Sequence, residues 1–247
     1  MSGLEILPLQ GIPEIRPGDD LSELVVGAAG EGLRAGDILV ATHKIVSKAE
    51  GRLVDLRAVE PSALAKRFAT RYGKDPRQIE VVLRESRRIV RMDRGLIISE
   101  THHGFVCANA GVDASNVPGE DTVCLLPVDP DASAARLREA LADRTGSEPA
   151  VIISDSFGRT WREGITNVAI GVSGMNPLAD YRGQRDPHGY PLEASVLAVA
   201  DEIAAAAELV MAKTAGIPVA VVRGYPFEPT AGTGRDLIMP HERDLFR

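Results

Sequence analysis

"AVIISDS", residues 150–156, decides how the fold is read. Four apolar residues, three of them β-branched, run without a break into Ser154, Asp155 and Ser156. A strand that alternates apolar with polar residues keeps one face wet. A continuous apolar strand is buried on both faces and needs cover above and below. The cover is legible nearby. Upstream, Asp129-Pro130 supplies a helix cap with proline at the first helical position. That helix runs through residues 132–144 and stops near Gly146. Downstream, "TNVAIGVSG" (166–174) reads as a partner strand.

Further out, "DILVAT" (37–42) and residues 218–222 read as buried strands, and 192–215 as a long buried helix ended by Gly216. Residues 61–72 and 76–88 read as helices. In the second, Ile79, Val82 and Leu83 share one face, with Arg84, Arg87 and Arg88 beyond them. "GLIISE" and "GFVCAN" flank Thr101-His102-His103 as an antiparallel hairpin, with "TVCLLP" a third strand nearby. Hairpins mixed with crossover helices predict an α+β (mixed α/β) fold.

The 247 residues are 44% hydrophobic, enough for one large core or two small ones. Aromatics at 4% exclude a stacking platform for single-stranded nucleic acid, and a net charge of -7 disfavours any nucleic-acid partner. Phosphate ligands stay open, because a bound divalent cation inverts the local sign. Cys107 and Cys124 each lie in an apolar run, as expected of buried thiols in a reduced, cytoplasmic chain. The N-terminal "MSGLEILPLQG" has no basic region or apolar core of a signal peptide. Asp201, Glu202, Glu208 and Lys213 interrupt the longest apolar segment, so no membrane span is expected.

No P-loop, dinucleotide fingerprint, C-x-x-C or H-E-x-x-H motif occurs. The adjacent His102 and His103 would point to opposite faces of a strand and not share a metal. Chemistry is left to polar residues at the ends of apolar runs. Asp155 and Ser156 close a buried strand, where α/β sheets place function and where oxygen ligands suit Mg²⁺ or Mn²⁺. A turn aspartate is the plain alternative. Arg159 and Arg162 follow within a few residues and match phosphate or carboxylate oxygens. Trp161 between them is expected to pack that loop down. "THKIVSKAEGR" (42–52) offers Lys48 as a phosphate contact or as a solvated loop lysine. "AGVDASNVPGE" (110–120) is a turn whose Asp113 and Asn116 serve either the backbone or a ligand. "RGYPFEPTAGTGRDL" (223–237) is a glycine-rich loop that can cradle an anion or simply cover the surface.

Six stretches together resemble one family, the coenzyme F420-0:L-glutamate ligases of deazaflavin coenzyme biosynthesis. They are "LPLQGIPEIRPGDDL", "IVSKAEGRLVDL", "AGVDASNV", "ISDSFGRTWREGITNVAIGVSG", "VADEIAAAAELVMAK" and "PVAVVRGY", and they reach nearly end to end. The resemblance implies a single γ-glutamyl ligase domain over 1–247, or two intertwined subdomains, usually a homodimer. It resembles the stand-alone form, without a fused nitroreductase-like domain. It implies GTP as co-substrate, L-glutamate and coenzyme F420-0 as substrates, two divalent ions (Mn²⁺ or Mg²⁺) and K⁺. By the family pattern Asp113 and Asp155 hold the first metal. Ser156 stands where the family usually has a threonine on the second, and Glu228 is the candidate further ligand in the C-terminal loop. Ile12, Pro13, Glu14, Ile15, His43, Lys48 and Asn116 fall at GTP contacts, with His43 where relatives often carry a small polar residue. Arg159 or Arg162 would hold a substrate carboxylate or the transferring phosphoryl group. The same carboxylates would also serve a metal-dependent phosphohydrolase, or a nucleotide- or deazaflavin-binding protein without turnover.

Overall fold

A computed structural model of the chain describes residues 3–30 and 32–245; Met1 and Ser2 of the N-terminal stretch lie outside them. The first half runs β1 (Glu5–Pro8), α1 (Leu21–Ala28), β2 (Ile38–Thr42), α2 (His43–Ala49), β3 (Leu53–Asp55), α3 (Ala63–Tyr72), α4 (Pro76–Arg84), β4 (Ser86–Asp93), β5 (Leu96–Thr101), β6 (Val106–Ala108) and β7 (Thr122–Cys124). The second runs α5 (Pro130–Thr145), β8 (Ala150–Arg159), β9 (Arg162–Ser173), β10 (Ala179–Asp180), β11 (Val196–Leu197), α6 (Val199–Met211) and β12 (Val219–Arg223).

The main sheet has five strands in the order β1-β12-β2-β8-β9. Only β2 and β8 run parallel; the other pairs are antiparallel. Side chains of period two divide the sheet into two buried faces. Leu39, Ala41, Val151 and Ile153 pack with Val25 of α1 and with Leu137 and Leu141 of α5. Ile38, Val40 and Ile152 point the other way, onto Ile203, Ala204 and Ala207 of α6. The continuous apolar run of β8 is therefore buried on both faces, as its sequence predicts. Each such isoleucine or leucine contributes about 1.5–3 kcal/mol by leaving water.

α5 begins and ends where its caps predict. The Asp129 carboxylate accepts from the Ala132 N–H, Pro130 opens the helix, and Gly146 closes it at φ 68°. Its first turn lies hard against β9: a Cβ on Gly171 would stand 2.4 Å from the Pro130 carbonyl oxygen. Backbone cannot step aside as a side chain can. Gly171→Ala is expected to cost about 2–4 kcal/mol, read as a lower denaturation midpoint in urea.

A third core gathers Phe68 of α3, Ile79 and Val82 of α4, Ile97 of β5 and Val123 of β7. Here the sequence reading needs correction. α4 stops at Arg84 and not at residue 88, because the Ser86 hydroxyl donates to the Val82 carbonyl and closes the last turn. Residues from Ser86 onward pair with β5 instead. The hairpin of β5 and β6 forms as expected, whereas β7 pairs with β3 in a separate ribbon. The helix expected over 192–215 is α6 alone. Val196 and Leu197 pair with β10, and Ala212 turns to φ 46° after the last helical residue. The expected loop after β2 is the helix α2. Burial of Ile45 and Val46 overrides their weak helix propensity. Among the described residues no helix is long and apolar enough to cross a membrane.

Candidate functional site at the ends of the parallel strands

β2 and β8 run side by side with Thr42 level with Ser154. β2 ends there, whereas β8 continues to Arg159 beside β9, so Asp155 and Ser156 lie within the strand, just past the parallel pairing, and do not close it as expected. α2 starts at that edge, and its first two residues each hold an acid. His43 is 2% exposed, and its Nε2 lies 3.2 Å from Asp155 Oδ1. The Lys44 ammonium donates to Asp113 Oδ2 at 2.7 Å and to the Ser115 hydroxyl at 2.6 Å. Asp113 and Asp155, 42 residues apart in the chain, are thus anchored to neighbours on one helix.

The turn carrying Asp113 is built for the purpose. Asp113 and Cys124 exchange backbone hydrogen bonds at 3.0 and 2.8 Å. The Asp113 carboxylate accepts from the Ser115 N–H at 2.7 Å, and Asn116 follows in the left-handed region at φ 54°. Gly111 enters the turn at φ +72°, with Leu126 where a side chain would sit. One turn of α2 beyond Lys44, Lys48 is buried and pairs with Glu14 Oε1 at 2.5 Å. That ion pair fastens the segment of residues 12–15 to α2, with Ile15 buried and Ile12 packed against the same core. Pro13 lies exposed between them.

Other candidates lie elsewhere. Consecutive strand residues face opposite ways, so Ser156 points away from Asp155. Its hydroxyl donates to Asn167 at 2.7 Å and accepts from the Lys213 ammonium, and Asn167 in turn donates to Glu208. Arg159 and Arg162 pair at the exposed tip of the β8–β9 hairpin, four and seven residues beyond Asp155, and Arg159 donates to the Glu163 carbonyl. Trp161 does not pack that loop down, since it stands 80% exposed at φ 60°. Glu228 is exposed in the loop after β12. Further along this loop, residues 229–233 border a hollow of about 530 Å³ beside Asp131 and Arg138. His102 and His103 each donate to their own backbone carbonyl, Arg84 and Pro127. Among the described residues no three His, Cys, Asp or Glu side chains gather as metal ligands.

Sequence reasoning missed Lys44. Its signal was available: Lys44 and Lys48 are four residues apart and share a helix face, once residues 43–49 are taken as a helix. Burial pushes the Cys107 thiol up to about 12, with the nearby Asp155 charge adding, so both expected buried cysteines are present and Cys107 is inert at neutral pH. Burial raises the Asp113 carboxyl, but the Lys44 ammonium and the Ser115 donors outweigh it, and the net shift is downward. The charged form therefore adds stability above the ordinary carboxylate range, which is lost as pH falls through the lowered value. Lys44→Ala should move the Asp113 titration to higher pH, as followed by carboxyl-carbon NMR.

This fold and site define an α+β protein with acids and lysines gathered where the parallel pairing of β2 and β8 ends. The chain belongs to the F420-0:Gamma-glutamyl ligase family, whose model matches residues 11–224. It is 46% identical to the coenzyme F420:L-glutamate ligase of Methanothermobacter thermautotrophicus, over 99% of both chains. It is 47% identical to that of Methanopyrus kandleri over the full length of both, and 42% to that of Methanocaldococcus jannaschii over 99% of this chain and 95% of the relative.

Proposed function

We propose that this protein is a GTP-dependent coenzyme F420:L-glutamate ligase, which joins L-glutamate to the deazaflavin acceptor coenzyme F420-0. The carrying observation is end-to-end similarity to relatives that all bear that ligase name. The geometry at α2 supports it, because two acids and two lysines suit the handling of phosphates.

A free carboxylate does not form an amide readily, since oxide is a poor leaving group. The acceptor's carboxylate oxygen attacks the γ-phosphorus of GTP, the bond to the β-phosphate oxygen breaks, and GDP leaves. The glutamate amine then attacks the acyl carbon, the carbon–oxygen bond breaks, and inorganic phosphate leaves as the amide forms. Lys48, poised against Glu14, and Lys44, poised against Asp113, offer point charges to phosphate oxygens. Asn116 on the adjoining turn and residues 12–15 flank the nucleotide. The buried His43 imidazole, 3.2 Å away, packs against the Asp155 carboxylate.

Asp113 and Asp155 are oxygen donors at one helix start, and their chemistry fits a divalent ion such as Mn²⁺ or Mg²⁺. When bound, it would supply positive charge that offsets the negative charge developing on the phosphates. Ser156 faces the opposite side of β8, with Lys213 on its hydroxyl, so no step here depends on a second divalent ion or on K⁺. Incubation with GTP, Mn²⁺, L-glutamate and F420-0 should yield a product heavier by one glutamyl unit. Phosphate release from GTP at full rate without acceptor or glutamate would instead mark a hydrolase.

A further inference from the structure

The Ser156 hydroxyl has no part in the chemistry above, yet it stands in the middle of a chain of hydrogen bonds on the α6 side of β8. Asn167 of β9, 3% exposed, donates to Glu208 Oε2 at 2.9 Å, which settles which end of its amide is oxygen. That oxygen accepts from the Ser156 hydroxyl at 2.7 Å. With its proton so committed, the hydroxyl oxygen accepts from the Lys213 ammonium. The chain runs from a carboxylate on α6 to a cation just past the helix end.

Lys213 is held differently from the lysines of α2. Lys44 and Lys48 each face a carboxylate, at 2.7 and 2.5 Å. Lys213 is pinned by a neutral hydroxyl, and Glu208 Oε1, at 3.9 Å, is outside hydrogen-bond reach. Its side chain is 54% exposed, so the ammonium keeps donors for a ligand from solvent. Fixing the head of a lysine forfeits rotamer freedom. The backbone is strained as well. Ala212, between α6 and Lys213, sits at φ 46° and ψ 158°, a region that residues with a side chain avoid at a cost of about 1–3 kcal/mol. An ordinary surface lysine needs neither.

The cluster adjoins Asp155. β8 loses its β2 neighbour after Ser154 and goes on beside β9 alone, and an open strand edge is reached from both faces of a sheet. The Ser156 N–H donates to Asp155 Oδ1 at 2.7 Å, so the two residues are joined although their side chains take opposite faces. Those faces differ in kind. α2 and its lysines pack with α1 and α5 on one, whereas Glu208 belongs to α6 on the other. An anion on Lys213 is therefore not the nucleotide of the proposed function but a second substrate. Glu208 repels a ligand that is anionic throughout. A cation and an acid side by side match a molecule that carries both signs.

We infer that Lys213, Ser156 and Glu208 form the subsite for the incoming L-glutamate: Lys213 holds one of its carboxylates and Glu208 faces its ammonium. This rests on the ligase function proposed above and names where the amino-acid substrate binds. Lys213 is half exposed, and a glutamine at 208 keeps an oxygen for Asn167, so the variants should fold. Lys213→Gln should raise KM for L-glutamate about tenfold and Lys213→Arg restore most of it, with KM for GTP and for F420-0 unmoved. Glutarate, which lacks the amine, separates the two charges. As a competitor of glutamate it should weaken about tenfold in Lys213→Gln and not at all in Glu208→Gln, whereas glutamate should weaken in both. An unchanged KM for L-glutamate in Lys213→Gln would overturn the subsite, as would an equal rise for all three substrates. Saturation-transfer NMR of L-glutamate needs no turnover, and Lys213→Gln should weaken the binding it reports in the parent. A parent that keeps this binding and yields no glutamyl product would overturn the ligase function alone.

Discussion

Asp155→Asn is expected to slow glutamate ligation by at least about a thousandfold while leaving the thermal midpoint within a few degrees of the parent. The substitution is nearly isosteric. An asparagine keeps a polar neighbour for His43 Nε2, which now sits 3.2 Å from the carboxylate. The start of α2 should therefore keep its shape, and the buried imidazole its partner. What disappears is one negative charge, and with it the better oxygen donor for a divalent ion. Initial rates of product formation and a circular-dichroism melt decide the matter together. Wild-type turnover in the variant would reduce Asp155 to a residue that merely positions His43. A collapsed melt would show that the charge matters for folding first.

Removing divalent ions should weaken GTP binding by at least about a hundredfold, close to 3 kcal/mol. Under the proposed function, GTP would bring several negative charges to a place where Asp113, Asp155 and Glu14 already stand. The two lysines there are not spare. Lys44 is spent on Asp113 at 2.7 Å and Lys48 on Glu14 at 2.5 Å. Without an ion, the phosphates must break those pairs and leave carboxylates uncompensated. With one, the acids acquire a cation and the lysines are released toward the nucleotide. Calorimetry in EDTA and in Mn²⁺ measures the difference, and equal affinities would sink the ion-bridge account.

Some of this was legible in the sequence, and the reasons are physical. β8 announced itself because a strand buried on both faces needs no alternation, and α5 because its caps are local, within four residues of the ends. Boundaries set by distant partners stayed hidden. Nothing near residue 86 says that the chain leaves α4 to pair with β5, and nothing near residue 122 says that β7 pairs with β3. α2 was hidden for a related reason: Ile45 and Val46 are poor helix formers made helical by burial. At the site, Asp113 and Lys48 stood out only through resemblance, since spacing alone left each with a plain alternative, whereas Asp155 stood out already by following a buried apolar run. Lys44 was overlooked because its partner is about seventy residues away. That Ser156 turns its back on Asp155 follows from strand period alone, once both are placed on one strand.

The adjacency of His43 and Lys44 has one more consequence. The separation of Asp113 from Asp155 is gauged by a single helical step, not by the long connection between them. α2 acts as a caliper whose two jaws are consecutive residues. The intervening loops and α5 can drift in length over evolutionary time without respacing the acids. One residue inserted at the first turn of α2 would respace them at once.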